Sequence, residues 1–343
     1  MDCATWSIPA WRGGARAMAL LSLTGLTVEL QTSRGMVPAV RGISFELERG
    51  GTLGLVGESG CGKSITALAI MGLLPEGART TGRVELDGAD LLSLDEAARC
   101  RIRGNRIAMI FQEPMTSLNP VHRIGRQIAE PLRLHRGLRG ANARDEVLRL
   151  LDRVGLPDPA RRIDAYPHQM SGGQRQRVMI AMALSCAPDI LLADEPTTAL
   201  DVTIQGQILD LINELVDDTG MGLLLISHDL GVIGETTENV AVMYGGILVE
   251  QGATQSLFAN LAHPYSQGLF AAIPRPGQAR RGPLPTIAGA VPELADFPPG
   301  CAFADRCAKA TDVCWRQAPE MQLIGPDHRT ACHHHPDSQG EAA

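Results

Sequence analysis

The densest chemistry in the chain lies in Gly57-Glu58-Ser59-Gly60-Cys61-Gly62-Lys63-Ser64. An apolar run, Thr52-Leu53-Gly54-Leu55-Val56, precedes it, and a segment suited to a helix, Ile65–Met71, follows. A strand, a glycine-rich loop and a helix start are the context in which a loop of this spacing cradles phosphates. The glycines let successive backbone N–H groups turn toward one anion, and the helix N-terminus adds partial positive charge. Lys63 is expected to reach the β- and γ-phosphates of a nucleotide, and Ser64 to give its hydroxyl to Mg²⁺. An ordinary glycine-rich turn would need neither the lysine nor the flanking elements.

Four other stretches bear polar groups that such a site uses. The buried-type run Ile190-Leu191-Leu192-Ala193 ends in Asp194-Glu195. Asp194 is expected to hold Mg²⁺ through water and Glu195 to polarise the attacking water as general base. Many strands end in an acid, so this pattern gains force only beside the phosphate loop. Gln112 follows the apolar run Ile107–Phe111, where an amide can touch both metal and water. His228 follows Leu223-Leu224-Leu225-Ile226-Ser227 and is placed to contact the γ-phosphate, although a lone histidine after a strand is more often structural. Finally, Ser171-Gly172-Gly173-Gln174 opens a helix continuing through Arg175–Leu184. One chain has no use for two γ-phosphate sites around one nucleotide. Two chains set head to tail do.

The elements that must position these residues follow from pattern. Leu26–Leu30 and Ile43–Leu47 read as strands joined at Ser33-Arg34-Gly35, and Arg83–Leu86 as another. After a helical stretch near 120–165, marked by Val147, Leu148, Leu150, Leu151 and Val154, strands return at Ile190–Ala193, Leu223–Ile226, Val240–Tyr244 and Ile247–Glu250. Strands alternating with helices predict an α/β sheet with its ligand at the strands' C-terminal ends. The 343 residues are 44% hydrophobic but 3% aromatic, so the core is aliphatic, and the net charge of −7 argues against nucleic acid as a partner. No run reaches the ~18 apolar residues of a membrane span. Arg12 and Arg16 before Ala17–Leu21 give only a faint echo of a secretory signal. Residues 1–17 are expected to be a disordered extension, with Met18 the true first residue.

The order of the phosphate loop, Gln112, Ser171-Gly172-Gly173-Gln174, Asp194-Glu195, Ala199-Leu200-Asp201 and His228 resembles the ATP-binding cassette of ABC transporters, over residues ~24–255. The resemblance implies a P-loop NTPase of the α/β class, with a RecA-like core, an antiparallel β subdomain and a helical subdomain near 113–170. It divides the chain into an extension (1–17), a cassette (18–260) and a tail (261–343). It also implies ATP and Mg²⁺ as ligands, with Gly57 through Ser64 and Ser171 through Gln174 around the nucleotide, and Lys63, Gln112, Glu195 and His228 in catalysis. Ser64, Gln112 and Asp194 would hold the metal. Asp201 would lie in the loop coupling two sites across a dimer, and Gln112 would lead into the helices that touch a permease. Such cassettes usually stack adenine on an aromatic in the first strand. The best-aligned position here is Leu30, which offers apolar contact instead.

Phe111–Pro120, Arg175–Leu184, His263-Pro264-Tyr265 and a proline-rich tail with Gly300-Cys301 are similar to the ATPases of oligopeptide and dipeptide permeases. That resemblance implies a paralogous ATPase as partner, two permease chains, an external substrate-binding protein and a place on the cytoplasmic face of the inner membrane. Nickel-chelate or glutathione cargo would use the same ATPase chemistry. Non-transport cassette proteins typically fuse two cassettes or insert a long coiled coil, and neither is visible. The tail carries Cys301, Cys307, Cys314 and Cys332. Disulfides are unusual in a cytosolic chain. Buried thiols remain open, as does a metal staple, although zinc usually takes closer pairs. The resemblance implies a [4Fe–4S] cluster on the four, and the adjacent His334 stays open as a competing ligand. Cys61 in the phosphate loop is either an alkylation target that blocks ATP or a small residue tolerated there.

Overall fold

The computed structural model describes residues 19–112, 117–198, 200–273 and 286–335. The expected N-terminal extension lies outside the described residues. Strands β1 (Ala19–Thr32) and β2 (Gly35–Glu48) form a long antiparallel hairpin whose register closes at Thr32↔Gly35. Both run well beyond the stretches expected from their apolar cores. Register shifts between Leu23 and Leu26 let the hairpin continue through Thr24-Gly25, where alternation breaks. After β3 (Thr52–Val56) and α1 (Lys63–Met71), strands β4 (Arg79–Leu86) and β5 (Ala89–Asp90) complete a four-stranded sheet, β2-β1-β4-β5.

Helix α2 (Glu96–Ile102) leads to β6 (Ile107–Ile110). The helical part follows as α3 (Ile124–His135), α4 (Gly140–Arg153), α5 (Pro159–Arg162) and α6 (Gly172–Ala183). The chain then alternates through β7 (Ile190–Asp194), α7 (Val202–Thr219), β8 (Gly222–Ser227), α8 (Leu230–Thr236), β9 (Asn239–Tyr244) and β10 (Ile247–Ala253). Strands β3, β6, β7, β8 and β9 are parallel to their neighbours within the larger sheet, except where β9 meets β10. Every residue of β3, β7 and β8 is buried. Their near-continuous apolar sequences answer to a sheet covered on both faces. Leu224 and Ile226 join the cluster under the antiparallel sheet and α1, whereas Leu223 and Leu225 join the cluster under the helices. Burying each such leucine contributes about 1.5–3 kcal/mol.

Two short helices, α9 (Thr254–Ala259) and α10 (Pro264–Ala271), precede the C-terminal segment, which contains α11 (Asp312–Arg316), β11 (Gln322–Gly325) and β12 (His328–Thr330). The proline-rich stretch 274–285 lies outside the described residues. The sequence reading found no strands beyond Glu250. Among the described residues there are two, and they extend the core sheet as β11-β12-β10-β9-β3-β8-β7-β6. Both are short and polar, so neither has a period to read. What fixes β12 is non-local: it pairs with β10 through Glu250↔Thr330, and His328 Nε2 lies 2.7 Å from the buried Glu250 carboxylate. The same carboxylate accepts the backbone N–H groups of Ala262 and His263. Among the described residues no helix is long and apolar enough to cross a membrane.

Candidate active site

Parallel strands bring their C-terminal ends to one edge. Val56 registers with Ser227, and Asp194 with Ile226, so the loops after β3, β7 and β8 open side by side, with β6 next to β7. The loop after β3 winds tightly. A Cβ at Gly57 would sit 2.1 Å from the Met243 carbonyl oxygen, and Gly62 takes a φ of 107° before α1 begins. Only glycine meets both demands without strain. Lys63 is buried and folds back over its own loop, its Nζ donating to the carbonyls of Gly57 (2.7 Å) and Glu58 (3.0 Å). The Ser64 hydroxyl donates to Asp194 Oδ1 at 3.1 Å. Burial raises the Asp194 carboxyl, the Ser64 bond works against that, and the neighbouring Glu195 charge adds to it. A buried carboxylate beside a hydroxyl is an oxygen donor set that suits a hard cation such as Mg²⁺.

Glu195 stands at φ 47°, with its N–H held by the Ile226 carbonyl at 2.9 Å. That turn points its carboxylate into a ring of donors. Gln112 Nε2 donates to Oε2 at 2.9 Å, Thr198 Oγ1 to the same atom at 2.9 Å, and His228 Nδ1 lies 3.2 Å from Oε1. Burial alone would raise this carboxyl, but the His228 and Thr198 bonds and the charges of His228 and Lys63 bring it below its ordinary range. The group is therefore an ionised, proton-accepting carboxylate at neutral pH. Thr198 was missed in the sequence. The signal was faint, a hydroxyl three residues beyond an acid.

Other expected residues stand differently. Ser171 caps α6: its Oγ accepts the Gln174 N–H at 3.4 Å, and the Gln174 side chain accepts the Ser171 N–H at 3.2 Å. Ser171 and Gly172 are exposed. Behind them, a Cβ at Gly173 would lie 2.8 Å from Ile204 Cγ2. Asp201 is exposed and caps α7, its Oδ1 accepting the Ile204 N–H at 3.0 Å. Leu30 is half-buried against the cluster that also holds Cys61, Ala67 and Ile70. Cys61 is buried and its thiol is pushed up by that burial, partly offset by Lys63. A buried, protonated thiol is a poor target for alkylation, contrary to the first of the two readings above.

In the tail, Cys301, Cys314 and Cys332 are buried and Cys307 half-buried. Burial pushes Cys301 up to about 11, with Cys314, Cys332 and Cys307 adding to the rise. Among the described residues, no group of three or more His, Cys, Asp or Glu is close enough to hold a single metal ion. Four cysteines match the thiolate donors of a [4Fe–4S] cluster in type and number, but the described residues do not gather them into a metal-binding group. His334, the competing ligand of the sequence reading, instead places Nε2 2.9 Å from the Thr311 hydroxyl.

Comparisons with known proteins agree with this arrangement. A family profile for ABC transporters matches residues 40–198, and one for the oligopeptide/dipeptide transporter C-terminal region matches 249–314. A probable peptide ABC transporter ATP-binding protein of Sinorhizobium fredii is 49% identical over 319 residues, covering 92% of this chain and 95% of that one. A putative peptide import ATP-binding protein of Brucella ovis is 50% identical over 325 residues, covering 91% and 96%. Among solved structures, a dimeric ATP-binding cassette in a post-hydrolysis state with ADP and Pi superposes with a TM-score of 0.62 at 28% identity, covering 68% of this chain and 98% of that one. A Clostridium perfringens protein that is part of an ABC transporter complex gives 0.60 at 26% identity, covering 70% and 91%. Similarity at this level along almost the whole chain shows that it belongs to the ATP-binding proteins of ABC transporters, ATPases that act on ATP with Mg²⁺.

Proposed function

We propose that this chain energises the import of di- and oligopeptides from the cytoplasmic face of the inner membrane. It pairs with a paralogous ATPase beneath two permease chains, which a substrate-binding protein supplies. The observation that carries the cargo class is the peptide-transporter C-terminal region at 249–314, joined to a cassette whose relatives are named for peptide import. In this reading residues 18–260 are the cassette, with its helical part near 113–170. Residues 1–17 are an extension and 261–343 the tail.

Each residue of the site has a part in the mechanism. The loop Gly57–Ser64 wraps the phosphates with the backbone N–H groups it leaves free, the Glu58 N–H being held by Tyr265, and Lys63 leaves its loop carbonyls for the β- and γ-phosphate oxygens. Ser64, Asp194 and Gln112 would hold Mg²⁺, which when bound would offset charge on the transferring phosphoryl group. Glu195 accepts a proton from the attacking water, and Gln112 and Thr198 aim its carboxylate. His228 holds the other carboxylate oxygen and reaches the γ-phosphate. Ser171, Gly172, Gly173 and Gln174 of one chain close on the nucleotide of the other, Asp201 links the two sites and Leu30 lies against adenine. Cys301, Cys307, Cys314 and Cys332 would hold a [4Fe–4S] cluster that would staple a tail with little core of its own.

The test is reconstitution of the full complex. Peptide-loaded binding protein should stimulate ATP hydrolysis. Stimulation by nickel chelates or glutathione, and not by peptides, would reassign the cargo. Protein purified without oxygen should contain iron and acid-labile sulfide, and zinc alone or no metal would remove the cluster.

A further inference from the structure

The C-terminal segment reaches back to the phosphate loop through a buried contact. Arg306 lies in the single turn Ala304–Arg306, between two of the tail cysteines. Its guanidinium grips the Glu58 carboxylate with two bonds, Nη1 to Oε2 at 2.6 Å and Nη2 to Oε1 at 3.1 Å. The arginine side chain is 3% exposed. Its Nε–H donates to the Ala288 carbonyl at 2.9 Å, and the rings of Tyr244 and Phe303 lie 5.7 and 5.9 Å from the guanidinium carbon. The fork is thus fixed from several sides before it meets Glu58. The backbone of the same residue is held too: the Glu58 N–H donates to the Tyr265 hydroxyl at 2.8 Å. Tyr265 packs against Tyr244 and Phe303, with ring centroids 4.7 and 5.4 Å away.

Two physical consequences follow for a triphosphate arriving at this loop. A loop already held in shape does not have to be ordered when the ligand binds. A carboxylate beside the phosphates would repel them, and a paired guanidinium cancels that charge. Both effects act on binding and neither touches the reacting atoms. We propose that Arg306 is a positioning residue for ATP: by clamping Glu58 it sets the phosphate loop for the triphosphate and makes the cysteine-bearing tail part of the nucleotide site. This holds whatever the cysteines bind.

The proposal is tested by nucleotide affinity in the full chain and by kinetics in the assembled transporter. Arg306→Ala should raise the Kd for Mg–ATP about tenfold or more, raise KM alike and leave kcat within about threefold. Arg306→Lys should restore part of the affinity, because lysine keeps the charge but not the fork. Glu58→Gln is the sharper variant. Removal of an unanchored carboxylate would tighten ATP, whereas loss of the Arg306 anchor weakens it. The double variant should bind no worse than Arg306→Ala alone, since both changes break one contact. A folded Arg306→Ala chain with unchanged Kd, a fall in kcat alone, or tighter ATP binding by Glu58→Gln would each overturn the proposal. So would an equal loss in Arg316→Ala, which breaks only an exposed pair with Asp312. If Arg306→Ala does not fold, the direction of the Glu58→Gln effect decides.

Discussion

Two helices of this chain begin on glycines beside a serine, and they are finished differently. Helix α1 follows Gly62 with no side-chain cap, and buried Lys63 folds back onto the carbonyls of its loop. Helix α6 starts at Ser171, which closes a reciprocal cap with Gln174 and faces outward. An uncapped helix start leaves its N–H groups for a ligand. The α1 start also collects Asp194 through Ser64, and the Glu195 ring stands next to it. Among the described residues, the hydrogen bonds of Ser171 stay within its own cap. One helix start has its chemistry around it, and the other offers a hydroxyl and backbone donors to whatever approaches. The contrast is what the proposed site shared between two chains would rest on.

The largest effect should come from Glu195→Gln, which keeps the shape of the donor ring and removes the base. Turnover should fall by about 10²–10⁴ while ATP still binds. The trapped protein should run as a two-chain species by light scattering. A monomer with ATP bound would end the idea that α6 serves a second chain. Ser171→Ala should slow turnover about tenfold, the loss of roughly one hydrogen bond, and leave the Kd of a single chain unchanged. Weaker single-chain binding would mean that α6 serves its own nucleotide.

The smallest effect concerns what props up the α1 side. His263 is buried, and burial lowers it to about 4 although Glu250 works the other way. Its Nδ1 accepts the Tyr265 N–H at 3.1 Å, and Tyr265 in turn holds the phosphate loop. Between its folded and unfolded pKa the unfolded chain binds more protons, so stability falls as pH falls through about 6.5 toward 4. Going from pH 7.5 to 6 should cost about 1 kcal/mol in denaturant unfolding. His263→Gln should flatten that slope, and an unchanged slope would separate His263 from the support of α1.

Much of the site was visible as text because each part follows a strand. Gly57–Ser64, Gln112, Asp194-Glu195 and His228 all come directly after apolar runs, and parallel strands must end at one edge. Thr198 was hidden because only the left-handed turn at Glu195 brings its hydroxyl to the carboxylate. The β10–β12 pairing, the seat of Tyr265 on the loop and the grip of Arg306 on Glu58 were hidden for another reason. They join residues 78 to 248 apart, through buried polar groups that have no period in sequence.

The chain alone determined the types and order of the groups around the phosphate loop, because hydrophobic runs, glycine spacing and strand direction are local or nearly so. Tertiary structure alone decided which of those groups touch, that the tail closes onto the core sheet, and that a tail arginine completes the loop at its second residue. Such contacts depend on packing between segments distant in sequence, and no local pattern encodes them.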